Sequence, residues 1–155
     1  MSVPILSVPS GNLSLEMRGV WWLLTREDRT EDGNKKIDPI LGGNPMGILT
    51  YAPNHFAAQF MKRDRSDNQT NNLSFSNLNN TVAVGGYDAY FGTYKVDEQT
   101  GKVTHTLIGS VNPLNIGMTV SRDLRVEENK LIIQLQTATP EGEQITRTLT
   151  WDRIG

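Results

Sequence analysis

Cysteine is absent from this sequence, and so are the apolar segments that would carry it into or across a membrane. The absence of Cys among 155 residues excludes disulfides, thiolate nucleophiles and Cys-ligated zinc or iron–sulfur sites. No apolar run approaches the roughly 20 residues that a membrane-spanning helix needs. Residues 1–15 hold no Lys or Arg and contain Pro4 and Pro9, a composition unlike that of a secretory signal. We therefore expect a cytoplasmic protein without a membrane span.

An excess of either charge and the common catalytic motifs are also lacking. The 15 Lys and Arg residues and 17 Asp and Glu residues are spread along the chain and give a net charge of −2, which does not fit a nucleic-acid partner. There is no P-loop, dinucleotide fingerprint or Gly-x-Ser-x-Gly motif. The two histidines, His55 and His105, are far apart in the sequence, so a metal site completed by Asp64 or Asp88 is not favoured. We expect no metal, no cofactor and no nucleic acid.

Long helical stripes of apolar residues are missing as well, and short alternating segments take their place. The predicted strands are Gly19–Arg26, Gly47–Tyr51, Phe56–Lys62, Ala89–Val96, Val103–Ser110, Gly117–Val126, Leu131–Thr137 and Gln144–Arg153. Short turns between them imply sequential antiparallel pairing, and pairing of the first strand with the last removes two exposed edges. The sequence therefore predicts an all-β protein, an eight-stranded antiparallel up-and-down β-barrel over residues 19–155. Residues 1–18 are interpreted as an N-terminal extension.

The segment from Arg65 to Gly86 breaks the alternating pattern. It is polar and contains six asparagines, Asn68, Asn71, Asn72, Asn77, Asn79 and Asn80, so it cannot bury much apolar area. We interpret it as a long loop across one mouth of the barrel, with a short helical turn near residues 78–84. A functional lid and a merely flexible insertion are both compatible with this composition.

Several short motifs, taken in order, resemble the lipocalin-like domain family of small intracellular bacterial and fungal proteins. They are Gly19-Val20-Trp21, the run from Asn44 to Tyr51, Tyr90-x-Gly92-x-Tyr94, His105, Pro113 with Gly117, Arg122, and Leu149-x-Trp151-x-Arg153. The resemblance implies a short lipocalin-like barrel, often encoded beside secondary-metabolism enzymes. Some related barrels bind hydrophobic ligands, and some act as cyclases or isomerases. The resemblance also implies a structural pair, Trp21 packed under Arg153, that closes one end of the barrel.

Because alternate residues of a barrel strand point inward, each strand offers one set of side chains to the interior. The more apolar sets are Val103, His105 and Leu107; Met118, Val120, Arg122 and Leu124; and Ile145, Arg147, Leu149, Trp151 and Arg153. In the predicted strand Ala89–Val96 we assign Tyr90, Gly92, Tyr94 and Val96 to the inward set. The predicted interior is an apolar cavity with a few polar groups.

The candidate ligand-binding residues are Tyr51, Gln59, Met61, Arg63, Tyr90, Tyr94, His105 and Arg122. An inward His105 needs a hydrogen-bond partner, such as Tyr90, Tyr94 or Arg122, or a wet cavity. Aromatic residues at a spacing of two are also typical of ordinary cross-strand packing, and His105 also fits a structural or ligand-orienting role.

Three functions stay open on this basis. The favoured one is binding of one small hydrophobic or amphipathic molecule in the barrel interior, by a monomer or homodimer, in secondary metabolism. The second is a cofactor-free cyclase or isomerase for a polyketide- or terpenoid-like substrate, with His105 and Tyr94 as the catalytic proton donor or acceptor. The third is a structural β-domain without a ligand, which a cavity no larger than a few water molecules would favour.

Overall fold

Nine β-strands build most of the computed structural model, which describes residues 12–65, 79–81 and 83–155. A short helix, α1 (Leu13–Glu16), comes first. The strands are β1 (Gly19–Thr30), β2 (Lys35–Lys36), β3 (Met46–Tyr51), β4 (His55–Met61), β5 (Tyr87–Asp97), β6 (Lys102–Ser110), β7 (Thr119–Glu127), β8 (Lys130–Ala138) and β9 (Gln144–Arg153). A 3-10 turn, Pro113–Asn115, lies between β6 and β7. None of the described helices is long and apolar enough to cross a membrane.

The strands close into a barrel. Each long strand pairs antiparallel with its neighbours, and β1 pairs with both β3 and β9, so the first and last strands meet. The two-residue β2 only extends a hairpin from the far end of β1. The remaining eight strands form the closed antiparallel barrel that the alternating pattern predicts, and that prediction is confirmed. Threonines on the outer face of β9, between inward apolar residues, show why such a sequence favours a strand over a helix.

The inward sets predicted for β5, β6, β7 and β9 are the ones that the barrel encloses. Val103, His105 and Leu107 are each buried on β6, and Val120, Arg122 and Leu124 are buried on β7. On β4 the inward residues are Phe56, Ala58 and Phe60.

Three candidate residues therefore lie outside the interior. Gln59 and Met61 belong to the outward set of β4, and Arg63 follows the end of that strand and is exposed. The alternation of the sequence marks this phase, because the inward set of β4 is wholly apolar whereas the outward set contains His55 and Gln59. The structure thus corrects the expectation that these three side chains contact a ligand in the cavity.

One end of the barrel, here called the closed end, is covered by the chain around α1. Met17 has no exposed surface, and the backbone amides of Leu13 and Ser14 donate to the Glu98 carboxylate at 2.9 and 3.2 Å. An acceptor there satisfies N–H groups that a helix start leaves unpaired. Residues 12–18 of the predicted N-terminal extension thus pack on the barrel, and residues 1–11 lie outside the described part of the chain.

The opposite end, here called the open end, carries the longer connections. Leu78 and Val82 of the predicted helical turn lie outside the described residues, as do residues 66–77 of the Asn-rich segment. The described neighbours of Val82 are not helical, and Gly85 and Gly86 take φ values of 62° and 81° that suit a tight turn into β5. The 3-10 turn at this end is capped by the Asn112 side chain, which accepts from the amide of Leu114 at 3.0 Å.

Candidate functional site

A cavity of about 60 Å³ lies inside the barrel. Its apolar wall includes Leu49, Phe56, Phe60, Leu149 and Trp151, which come from three different strands. Because one water molecule needs roughly 10–15 Å³ of such space, the cavity has room for a few waters.

A larger groove of about 260 Å³ lies beside the cavity at the open end. Among the described residues, five line both spaces: Asp38, Asn80, Thr81, Ala83 and Arg147. We call the three that come from the connection before β5, Asn80, Thr81 and Ala83, the partition, because they separate the cavity from the groove.

His105 and Tyr51 form a buried hydrogen-bonded pair in the cavity wall. The Tyr51 hydroxyl lies 2.6 Å from Nε2 of His105, and the two residues are 2% and 4% exposed. Burial, with a smaller contribution from the charge of Arg122, lowers the pKa of His105 to about 3. The imidazole is therefore neutral at pH 7, and its Nδ1 has no hydrogen-bond partner among the described residues.

Two ion pairs, one buried and one half-buried, lie on β1 at the open end. Arg147 donates from Nε and Nη2 to the Asp28 carboxylate at 2.8 and 3.1 Å, and Arg26 donates to Asp38 at 3.0 Å. Arg147 also donates from Nη1 to the Asn80 side chain at 2.9 Å. One of these pairs is therefore tied directly to the partition.

Asp88 is a buried carboxyl group that forms no ion pair in the described structure. Its Oδ2 accepts from the Thr81 hydroxyl at 2.7 Å, and Oδ1 has no partner. Burial raises the pKa of Asp88 above its usual value. In the described part of the chain no group of three or more His, Asp or Glu residues is arranged to hold a metal ion.

The structure brings together four of the eight candidate ligand-binding residues. Tyr51, Tyr90, His105 and Arg122 all line the cavity. Tyr94 is buried but lies toward the closed end, where its hydroxyl donates to the carbonyl oxygen of Ala52 at 2.6 Å. It does not line the cavity.

The other three candidates make contacts outside the interior. The Gln59 side chain accepts from the hydroxyl of Tyr87, and Arg63 donates from Nε to the carbonyl oxygen of Asn44 at 3.0 Å. Met61 lies at the end of β4 on the outward face.

Sequence reasoning missed Arg26, Asp38 and Asp88 as cavity residues. Arg147 was predicted to face inward but not to belong to the site. For Asp88 a signal existed, because it precedes Tyr90 by two and so shares its face. For Arg26 none existed, because a β-bulge between Leu23 and Thr25 changes the phase of β1.

The match to a known protein family agrees with this architecture. The family profile described as a lipocalin-like domain matches residues 18–154, which includes all nine strands. No curated protein matches the chain at a significant level. Because the profile covers nearly the whole barrel, from the residue before Gly19 to the residue after Arg153, this chain belongs to the lipocalin-like domain family.

Proposed function

We propose that the protein binds one small amphipathic molecule inside the barrel, with the molecule reaching the open end. The observation that carries this proposal is a set of three buried polar atoms without a partner in the described structure, His105 Nδ1, Asp88 Oδ1 and Trp151 Nε1. All three residues line the same cavity. A buried polar atom left unpaired costs about 1–3 kcal/mol, so three of them around one space indicate a site for a molecule that can pair with them.

The size of the site supports the same proposal only when the groove is included. The cavity of about 60 Å³ has the size expected of a structural domain without a ligand. Together with the adjoining groove of about 260 Å³, it reaches the lower end of the roughly 300–1,000 Å³ typical of small-molecule pockets. A ligand of more than a few atoms would therefore occupy both spaces and displace the partition.

The polar groups favour binding over proton transfer. His105 is neutral at pH 7, because its pKa is about 3, and so it carries no proton to donate as an imidazolium. The hydroxyl of Tyr94, the predicted catalytic partner of His105, donates to the carbonyl oxygen of Ala52, and Tyr94 does not line the cavity. A polyketide- or terpenoid-like secondary metabolite is the ligand class that the family resemblance suggests. The cytoplasmic location and the monomeric or homodimeric state stay predictions.

The test is a titration with N-phenylnaphthylamine, an uncharged amphipathic dye that fluoresces in apolar surroundings. We expect saturable binding of one dye per chain to the wild-type protein. Ala58→Leu adds bulk to the cavity wall, whereas Ala57→Leu adds the same bulk to the exposed face of the same strand. Binding should weaken at least about tenfold in the first variant and stay within about twofold in the second.

The folded state of both variants is checked by near-ultraviolet circular dichroism. Equal dye affinity in the two variants, or no saturable binding by the wild-type protein, would overturn the proposal. Mass spectrometry of small molecules extracted from the purified native protein then identifies the natural ligand.

A further inference from the structure

Arg122 differs from the other two arginines that line the cavity. Arg26 pairs with Asp38 at 3.0 Å and Arg147 pairs with Asp28 at 2.8 Å. Within residues 12–65, 79–81 and 83–155, no carboxylate forms an ion pair with Arg122. Of the three inward guanidinium groups, that of Arg122 therefore has no carboxylate partner among the described residues.

The hydrogen bonds of Arg122 in the described structure use only one of its three guanidinium nitrogens. Nη1 donates to the carbonyl oxygen and Oδ1 of Asn79 and to the carbonyl oxygen of Ser121, each at 3.0 Å. In the described structure Nε and Nη2 make no hydrogen bond. These two nitrogens form the side of a guanidinium group that binds two oxygens of a carboxylate or similar oxyanion at once.

Arg122 is buried, and the side chains of two further arginines, Arg26 and Arg147, line the same cavity. Arg122 is only 8% exposed. Burial, with the like charges of Arg147 and Arg26, lowers its pKa to about 10, so Arg122 stays charged at pH 7. A buried charge without an opposite charge is costly, and an anion entering the cavity would remove that cost.

We propose, building on the proposed function, that the ligand is an amphipathic anion whose acidic oxygens bind Nε and Nη2 of Arg122. Its apolar part packs on the wall formed by Phe56, Phe60 and Trp151. The hydrogen-bonded pair of Tyr51 and His105 lines the same cavity as Arg122. These two side chains can hydrogen-bond to a polar group of the ligand without repelling its charge.

The test compares two dyes that share one ring system. Anilinonaphthalene sulfonate carries an anionic oxyacid group, and N-phenylnaphthylamine is the same molecule without it. We expect the sulfonate to bind the wild-type protein about tenfold more tightly than the neutral dye, which is the usual gain from one charge-assisted contact. Competition by decanoate and by decanamide repeats the comparison with a carboxylate and its uncharged isostere.

Substitutions on β7 then assign the effect to Arg122. Arg122→Gln should weaken sulfonate binding at least about tenfold and leave neutral-dye binding within about twofold, and Arg122→Lys should recover part of the loss. Arg125→Gln is the matched control, because Arg125 lies on the outer face of the same strand and pairs with Glu127. It should change neither affinity.

The outcomes separate this inference from the proposed function. If the neutral dye binds but the sulfonate and decanoate bind no more tightly than their uncharged counterparts, the anion inference is wrong and the binding function stands. If no dye binds, the binding function itself is wrong. Where Arg122→Gln fails to fold, Arg122→Lys tests the assignment instead, because lysine keeps the charge but lacks the paired Nε and Nη2 donors. A sulfonate affinity equal to the wild-type value in Arg122→Lys would then contradict the assignment to Arg122.

Discussion

The guanidinium group of Arg153 lies over the indole ring of Trp21, with 4.2 Å between its central carbon and the ring centroid. Trp21 is fully buried, and its indole N–H donates to the carbonyl oxygen of Met17 at 2.8 Å. Arg153 donates to the carbonyl oxygens of Arg18 and Glu16 at 2.8 and 2.6 Å. This pair therefore ties the first strand, the last strand and the α1 connection together at the closed end.

Arg153→Met should lower the free energy of unfolding by about 2 kcal/mol. Methionine keeps part of the apolar stem but loses the cation–π contact and the two charge-assisted hydrogen bonds. Arg125→Met is the control, since the exposed Arg125–Glu127 pair should contribute no more than about 0.5 kcal/mol. Urea unfolding measures both, and equal losses in the two variants would contradict the structural role of Arg153.

The buried pair of Asp28 and Arg147 supports a second prediction. Asp28→Asn should cost about 3–5 kcal/mol of unfolding free energy, because it leaves the charge of Arg147 buried without its partner. Asp123→Asn removes an exposed carboxylate that pairs with Lys102 and should cost less than about 1 kcal/mol. Denaturant unfolding checks the difference.

A double variant separates the pair itself from the cost of breaking it. Asp28→Leu combined with Arg147→Met removes both charges and should recover most of the stability that Asp28→Asn loses. A double variant no more stable than Asp28→Asn would show that packing at these positions, and not the orphaned charge, sets the loss.

The barrel was predictable from the sequence because most of its strands keep one phase from end to end. On β9, Ile145, Leu149 and Trp151 alternate with threonines, so the inward face could be read directly. On β1 the bulge after Leu23 reverses the phase and turns Asp28 inward. A bulge depends on pairing with a neighbouring strand. The residues of β1 alone therefore do not predict where the phase of this strand reverses.

The residues of the site were predictable only in part, because alternation along a strand does not give the contacts between strands. Alternation gives the face on which a side chain lies, but the direction of that side chain within the barrel depends on its hydrogen-bond partners. His105 and Tyr94 face the same interior and are paired in register, yet only His105 lines the cavity, because the Tyr94 hydroxyl donates to the carbonyl oxygen of Ala52. Whether a described carboxylate forms an ion pair with Arg122 depends on residues distant in sequence, and alternation carries no information about them.

Gly92 supports a third prediction, which tests the close contact between β5 and β6. A methyl group at this position would overlap the carbonyl oxygen of Thr106, which is backbone and cannot rotate away. Gly92→Ala should therefore cost about 3 kcal/mol or more. At Gly33 the space is open but φ is 86°, so Gly33→Ala should cost only roughly 1–2 kcal/mol. Thermal unfolding that ranks the two variants in the opposite order would contradict the contact.

His105 makes the stability of the barrel depend on pH. In the folded protein its pKa is about 3, whereas an unfolded histidine has a pKa near 6.5. Below pH 6.5 the unfolded chain therefore binds a proton that the folded chain does not bind, and falling pH favours unfolding. Above pH 6.5 His105 therefore does not lower the free energy of unfolding, and the free energy of unfolding decreases steadily as the pH falls from 6.5 toward 3.

His105→Gln should remove this contribution, because glutamine does not titrate. Between about pH 7 and about pH 5, the wild-type protein should lose about 2 kcal/mol more unfolding free energy than the variant loses. His55→Gln, at an exposed position on β4, is the matched control and should keep the wild-type dependence on pH. Urea unfolding at both pH values gives these differences, and parallel losses in the wild-type protein and His105→Gln would mean that the buried imidazole takes up a proton as readily as an exposed one.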